Sequence, residues 1–130
     1  MKFTRIKETC IYVDDLEKIK SFYQETLKLD IIHYDEGKHL FFRVGDSVLL
    51  FFNPNDSKTK SSPPGHFATG KQHFAFEVPA NEYDNTKEEI LKKEILITDT
   101  VTWPSEAESF YFEDPAGNVI EIVPDKGMWD

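Results

Sequence analysis

A chain of 130 residues with a formal charge of −9 suits one domain and can bury a core without disulfide or metal staples. The acidity, with no basic run, excludes nucleic acid as the expected partner, and no stretch approaches the ~20 apolar residues of a membrane span. The single cysteine, Cys10, rules out an intrachain disulfide, and Met1 to Arg5 lacks the apolar run of a signal peptide, so the expected location is the cytoplasm.

The first expected strand is Ile6 to Val13, with Thr9, Ile11 and Val13 facing one way and Glu8, Cys10 and Tyr12 the other. Asp14 or Asp15 offers an N-cap oxygen for a helix from Asp15 to Leu27, whose Leu16, Ile19, Phe22, Tyr23 and Leu27 make an apolar stripe. Leu29 to Tyr34 reads as a strand, and Leu40 to Phe52 as a hairpin turning at Gly45-Asp46. Residues 54–70 hold Pro63, Pro64, Gly65 and several serines with no apolar period. They read as a connector, long enough to cover a cavity.

The plan then repeats. His73 to Val78 is a strand with His73, Ala75 and Glu77 on one face. A helix from about Asn81 to Lys93 carries Tyr83, Ile90 and Leu91 on its inner stripe. Ile95 to Thr98 reads as a short strand and Thr100 to Glu108 as a loop. Phe110 to Val123 closes with a hairpin through Asp114-Pro115-Ala116-Gly117-Asn118. The expected fold class is α+β: two βαβββ modules, about 5–53 and 71–124, in one domain. Each copy alone is marginal in size, so the two are expected to share a sheet or a partner.

Superposing the copies pairs Glu8 with His73 and Leu50 with Glu121. Glu121 interrupts a β-branched strand, Val119-Ile120-Ile122-Val123, where a carboxylate sits either at a wet edge or in a cavity with a partner. Two carboxylates and one imidazole at repeat-equivalent positions form a three-ligand set for a divalent ion, with Mn, Ni, Fe, Zn, Co and Mg all conceivable. Leu50 cannot serve as a fourth ligand. Arg43 is a candidate for holding an anionic substrate. Tyr12, Phe52, Trp103 and Tyr111 are candidate aromatic walls, Glu77 is a candidate base, and His66 could enter the cleft from the connector.

The Ile11-Tyr12-Val13-Asp14-Asp15-Leu16 opening with Ser21-Phe22-Tyr23 resembles the vicinal oxygen chelate superfamily of glyoxalases, bleomycin-resistance proteins and dioxygenases. So do the block Gln72 to Val78 and the ending Phe110 to Glu121, with its Asp-Pro-x-Gly-Asn-x-x-Glu pattern. The resemblance spans essentially the whole chain. It implies paired βαβββ modules forming a curved, mainly antiparallel sheet around a cleft. It also implies a metal held by residues matching Glu8, His73 and Glu121, a small-molecule substrate, and in many members a homodimer. Glu8 stands where the family usually has His or Gln, and Leu50 where glyoxalase I has a carboxylate. Two functions follow as expectations. One is a metal-dependent enzyme on a small oxygenated metabolite or antibiotic, with Glu121 and Glu77 in catalytic roles. The other is a metal-free binding protein of the bleomycin-resistance type.

Overall fold

The computed structural model describes every residue from Met1 to Asp130. The chain divides into two compact units, residues 1–70 and 71–130.

The first unit runs β1 (Glu8–Tyr12), α1 (Leu16–Lys20), β2 (Asp30–Asp35), β3 (His39–Val44), β4 (Ser47–Phe52) and α2 (Pro54–Ser57). Its four strands form one sheet in the order β1-β4-β3-β2, with β1 parallel to β4 and the other pairs antiparallel. Asp15 caps α1 by accepting the Lys18 N–H at 3.2 Å. The expected single helix continues from α1 as a wider π-helical turn over Ser21–Thr26, and Lys28 at φ 65° ends it. Alternation along the strands sends Ile11, Leu40, Phe42, Leu49 and Phe51 to the helix-facing core with Leu16, Ile19 and Tyr23. The Tyr23 ring packs 4.7 Å from Phe51 and 5.8 Å from Phe42.

The second unit repeats the plan as β5 (His73–Val78), α3 (Tyr83–Lys92), β6 (Asp99–Thr102), β7 (Glu108–Glu113) and β8 (Val119–Pro124). Its sheet has the order β5-β8-β7-β6, with β5 parallel to β8. Each module therefore closes a mixed four-stranded sheet of its own. Phe110, Phe112, Ile120, Ile122, Tyr83 and Ile90 are buried there.

Two local expectations are corrected. The strand expected over Ile95 to Thr98 lies instead at Asp99–Thr102, inside the expected loop. The chain leaves α3 through Glu94 at φ 60°, Leu96 is exposed, and the ladder with β7 begins only at Asp99↔Tyr111. Leu91 is exposed rather than on the inner stripe. It stands about 80° round the helix from Tyr83, whereas Ile90 completes a near-whole number of turns.

Register supports the internal repeat. Cys10 pairs with Leu50 in the first parallel ladder, and Ala75 with Glu121 in the second. Glu8 and His73 thus hold matching slots, as do Leu50 and Glu121. Across the antiparallel pairs, Leu50 meets Phe41 and Glu121 meets Tyr111. One unit carries an apolar row at this level and the other a polar one.

Candidate functional site

In the second unit, parity puts His73 and Glu121 on the face opposite the core. Glu121 is only 6% exposed, whereas the His73 side chain is 51% exposed. The Tyr111 hydroxyl donates to Glu121 Oε1 at 2.8 Å. Burial pushes the Tyr111 phenol above its ordinary pKa; the Glu121 hydrogen bond and charge push the same way, against a lowering hydrogen bond with Ser109. The phenol therefore stays protonated as a donor. His73 Nδ1 lies 3.0 Å from the Val119 carbonyl oxygen. A carbonyl only accepts, so Nδ1 carries a proton, and Nε2 faces Glu121 Oε2, 3.3 Å away.

A proton on Nε2, or a divalent ion held between the two groups, would each satisfy this pair. No lysine or arginine pairs with Glu121. The donor set fits a divalent ion: two ligands at right angles, with bonds of about 2.1 Å, stand about 3 Å apart. The residues present therefore suit the metal that the sequence expectation named. No group of three or more His, Cys, Asp or Glu side chains forms a ready metal cage in the chain. The second unit supplies the pair, and Glu8 belongs to the first.

The closing turn explains why this pair is aligned. Asp114 and Asn118 are both buried. Asp114 Oδ1 accepts the backbone N–H groups of Ala116 and Asn118 at 2.9 and 3.0 Å, and the Asn118 amide donates to Asp114 Oδ2 at 3.1 Å. Gly117 takes φ 81° to close the turn, a region costly for other residues. The Asn118 side-chain oxygen then accepts the Gln72 N–H at 3.1 Å, and Val119 N–H donates to the Gln72 carbonyl at 2.8 Å. The turn that starts the Glu121 strand thereby grips the residue just before His73.

The first unit holds a cavity of about 490 Å³. Its floor is the matching sheet face, with Glu8 and Cys10 from β1, Leu50 and Phe52 from β4, and His39 and Phe41 from β3. The connector covers it through Asp56, Ser57, Lys60, Ser62, Pro63, Pro64 and His66. The cover is tied down at its two ends: the Ser57 hydroxyl donates to the His66 carbonyl at 2.7 Å, and the His66 N–H to the Ser57 carbonyl at 3.2 Å. Gly65 passes so close to the chain that a Cβ there would stand 2.7 Å from the Lys58 carbonyl oxygen. Within the cavity Asp35 pairs with Lys38 and Asp56 with Lys60, at 3.9 and 3.4 Å. Burial, then the Glu8 charge, pushes the Cys10 thiol up, which disfavours a thiolate nucleophile. Burial, then His33, pushes the His39 imidazole down.

The other expected residues fall unevenly. Phe52 lines the cavity. Tyr12 stands beside the lining, its ring 6.1 Å from Phe52 and 5.6 Å from His66. Arg43 is exposed near the end of β3, beside Val48 and Asp30, and is not among the lining groups of this cavity. The Trp103 indole N–H is committed to Ser109 Oγ at 3.0 Å. Glu77 is exposed on the His73 face of β5. Sequence reasoning missed His39. Its alternation with Leu40 and Phe42, both fully buried, carried the signal that it shares a face with Phe41.

The model of the Glyoxalase/Bleomycin resistance protein/Dioxygenase superfamily matches residues 5–122. Among solved structures, the chain is similar to a lactoylglutathione lyase from Agrobacterium tumefaciens, at 32% identity and a TM-score of 0.94. That match covers 99% of this chain and 98% of the other. It shares its fold with an integron cassette protein from the mobile metagenome of a Halifax Harbour sewage outfall, at 23% identity and TM-score 0.75 over 94% and 99% of the two chains. It also shares its fold with a mutant of the fosfomycin resistance protein FosX from Listeria monocytogenes, complexed with Mn(II) and a dihydroxypropylphosphonic acid. There the values are 20% identity and TM-score 0.67, over 94% and 90%.

Proposed function

Because the chain belongs to the glyoxalase/bleomycin resistance protein/dioxygenase superfamily, we propose that it is a divalent-metal-dependent enzyme acting on a small oxygenated substrate. The observation that carries this reading is the buried Glu121 carboxylate facing His73 Nε2 at 3.3 Å. Glu121 and His73 would hold the ion, with Glu8 as the third protein ligand, from the same chain or from the second copy of a homodimer. When bound, the ion would supply Lewis acidity toward a substrate oxygen. Tyr111 orients Glu121 through its hydroxyl. The first unit's cavity, with Glu8, Phe41 and Phe52 in its lining, is a candidate substrate pocket in its own right. Glu77 is the candidate for moving a proton. The lactoylglutathione lyase likeness makes a lyase or isomerase step the first to try. Leu50 leaves the first unit without the carboxylate that its repeat partner Glu121 provides.

That same Leu50, in an apolar row with Cys10 and Phe41, favours the second reading, a metal-free binding protein. A panel of small compounds with two adjacent oxygens separates the two. The enzyme reading expects conversion of at least one compound by metal-loaded protein and none by stripped protein. Tight binding without conversion, unchanged by metal removal, would favour the binding protein.

A further inference from the structure

We propose that His66 is a substrate-binding residue of the first unit's cavity. Its Nε2–H would be the donor that fixes a carbonyl oxygen of a substrate whose flat apolar part lies on the Phe41 and Phe52 rings. The inference rests on the reading of this cavity as the substrate pocket, and it names the chemical class: an aryl ketone without negative charge.

Three observations carry it. First, His66 is held in place. Its backbone is bonded twice to Ser57, and its ring stands edge-on to Phe52 at 4.6 Å. Second, its Nδ1 is taken by the Tyr12 hydroxyl at 2.5 Å, which leaves Nε2 as the ring nitrogen that can meet a ligand. A phenol O–H is a stronger donor than a neutral imidazole N–H, and an imidazole nitrogen is a stronger acceptor than a phenol oxygen. Tyr12 therefore donates, Nδ1 accepts, and Nε2 carries the outward proton. Burial, then Cys10, pushes the Tyr12 phenol up, which keeps it a donor. Third, the lining offers aromatic walls, and its charges, Glu8 included, disfavour an anionic guest. Phe41 and Phe52 stand 5.5 Å apart, His39 stacks 4.6 Å from Phe41, and the two lysines are spent on Asp35 and Asp56. A flat neutral body suits such walls, and the imidazole N–H is then the group that can orient its oxygen.

The probe is 2-hydroxyacetophenone, with hydroxyacetone as its ringless counterpart, titrated into the full chain and followed by NMR of the histidine side chains. In ligand-free wild type, His66 should be in the Nε2–H tautomer, and Tyr12→Phe should shift it toward Nδ1–H. The aryl probe should move the His66 resonances and bind at least about tenfold more tightly than hydroxyacetone. His66→Phe keeps a ring but removes the donor, and should weaken the aryl probe about 5- to 10-fold. An Nδ1–H tautomer in wild type, no binding of the aryl probe, or equal affinity in His66→Phe would each overturn the proposal. Repeating the titration with Zn²⁺ separates the underlying reading. A Zn²⁺ effect that persists in His66→Phe but vanishes in His73→Ala speaks for the metal site whatever His66 does.

Discussion

Replacing Asn118 by alanine tests whether the closing turn positions the metal pair. The substitution removes the acceptor of the Gln72 N–H and the amide bonded to Asp114 Oδ2, both at 3.1 Å and both around a side chain that is 1% exposed. Truncating a buried hydrogen-bonding group costs about 1–3 kcal/mol for each partner deprived of its bond. The expected loss is therefore about 2–6 kcal/mol, a large share of the 5–15 kcal/mol typical of a domain. Urea unfolding followed by circular dichroism measures it, with the midpoint falling and the slope unchanged. Asn118→Asp sharpens the test. It preserves the oxygen that accepts from Gln72 but sets a second carboxylate against Asp114, so it should rescue nothing. Divalent-ion affinity should fall with stability, since the residue before His73 is no longer gripped. A loss below about 0.5 kcal/mol with ion affinity intact would refute the reasoning, for it would mean that the strand pairing alone aligns His73 with Glu121.

Tyr111→Phe removes the hydroxyl that orients Glu121 and should lower divalent-ion affinity about 10- to 100-fold by calorimetry while leaving the fold intact. The hydrogen bond to Glu17 holds the Tyr34 phenol up at about 12, with smaller contributions from burial and nearby carboxylates. Glu17→Gln should return its ultraviolet titration toward 10. Because the folded value is raised, this group's contribution to stability is present below pH 10 and is lost as pH rises through about 12. Phe42→Ala, at a fully buried ring, should cost about 3–5 kcal/mol in the same urea assay.

Much of the fold was legible because its signals are local. The strand alternation, the Gly45-Asp46 turn and the Asp114 to Asn118 turn are each written within a few residues. The matching of Glu8 with His73 and of Leu50 with Glu121 was equally readable, since it needs only the repeat, and the two parallel ladders reproduce it. The β6 strand was misplaced because Ile95, Leu96 and Ile97 look like a strand. The ladder begins instead where Thr100, Val101 and Thr102 can pair with β7, a nonlocal choice. Arg43 stands outside the cavity lining for a related reason. It shares a strand face with Phe41, but distance along the strand takes it past the cavity. The proton positions on His73 and His66 were not legible at all. They depend on the Val119 carbonyl and the Tyr12 hydroxyl, which the fold brings in from 46 and 54 residues away.

Whether Glu121 and His73 together hold a divalent ion is open to direct measurement. Elemental analysis of protein purified without a metal-affinity column, then incubated with Mn²⁺, Ni²⁺ or Zn²⁺ and desalted, tests it most directly, with Glu121→Gln and His73→Ala alongside. The expected result is about one ion per chain in wild type and clear loss in both variants, whose circular dichroism stays unchanged. No ion in wild type, or full stoichiometry in either variant, would contradict it.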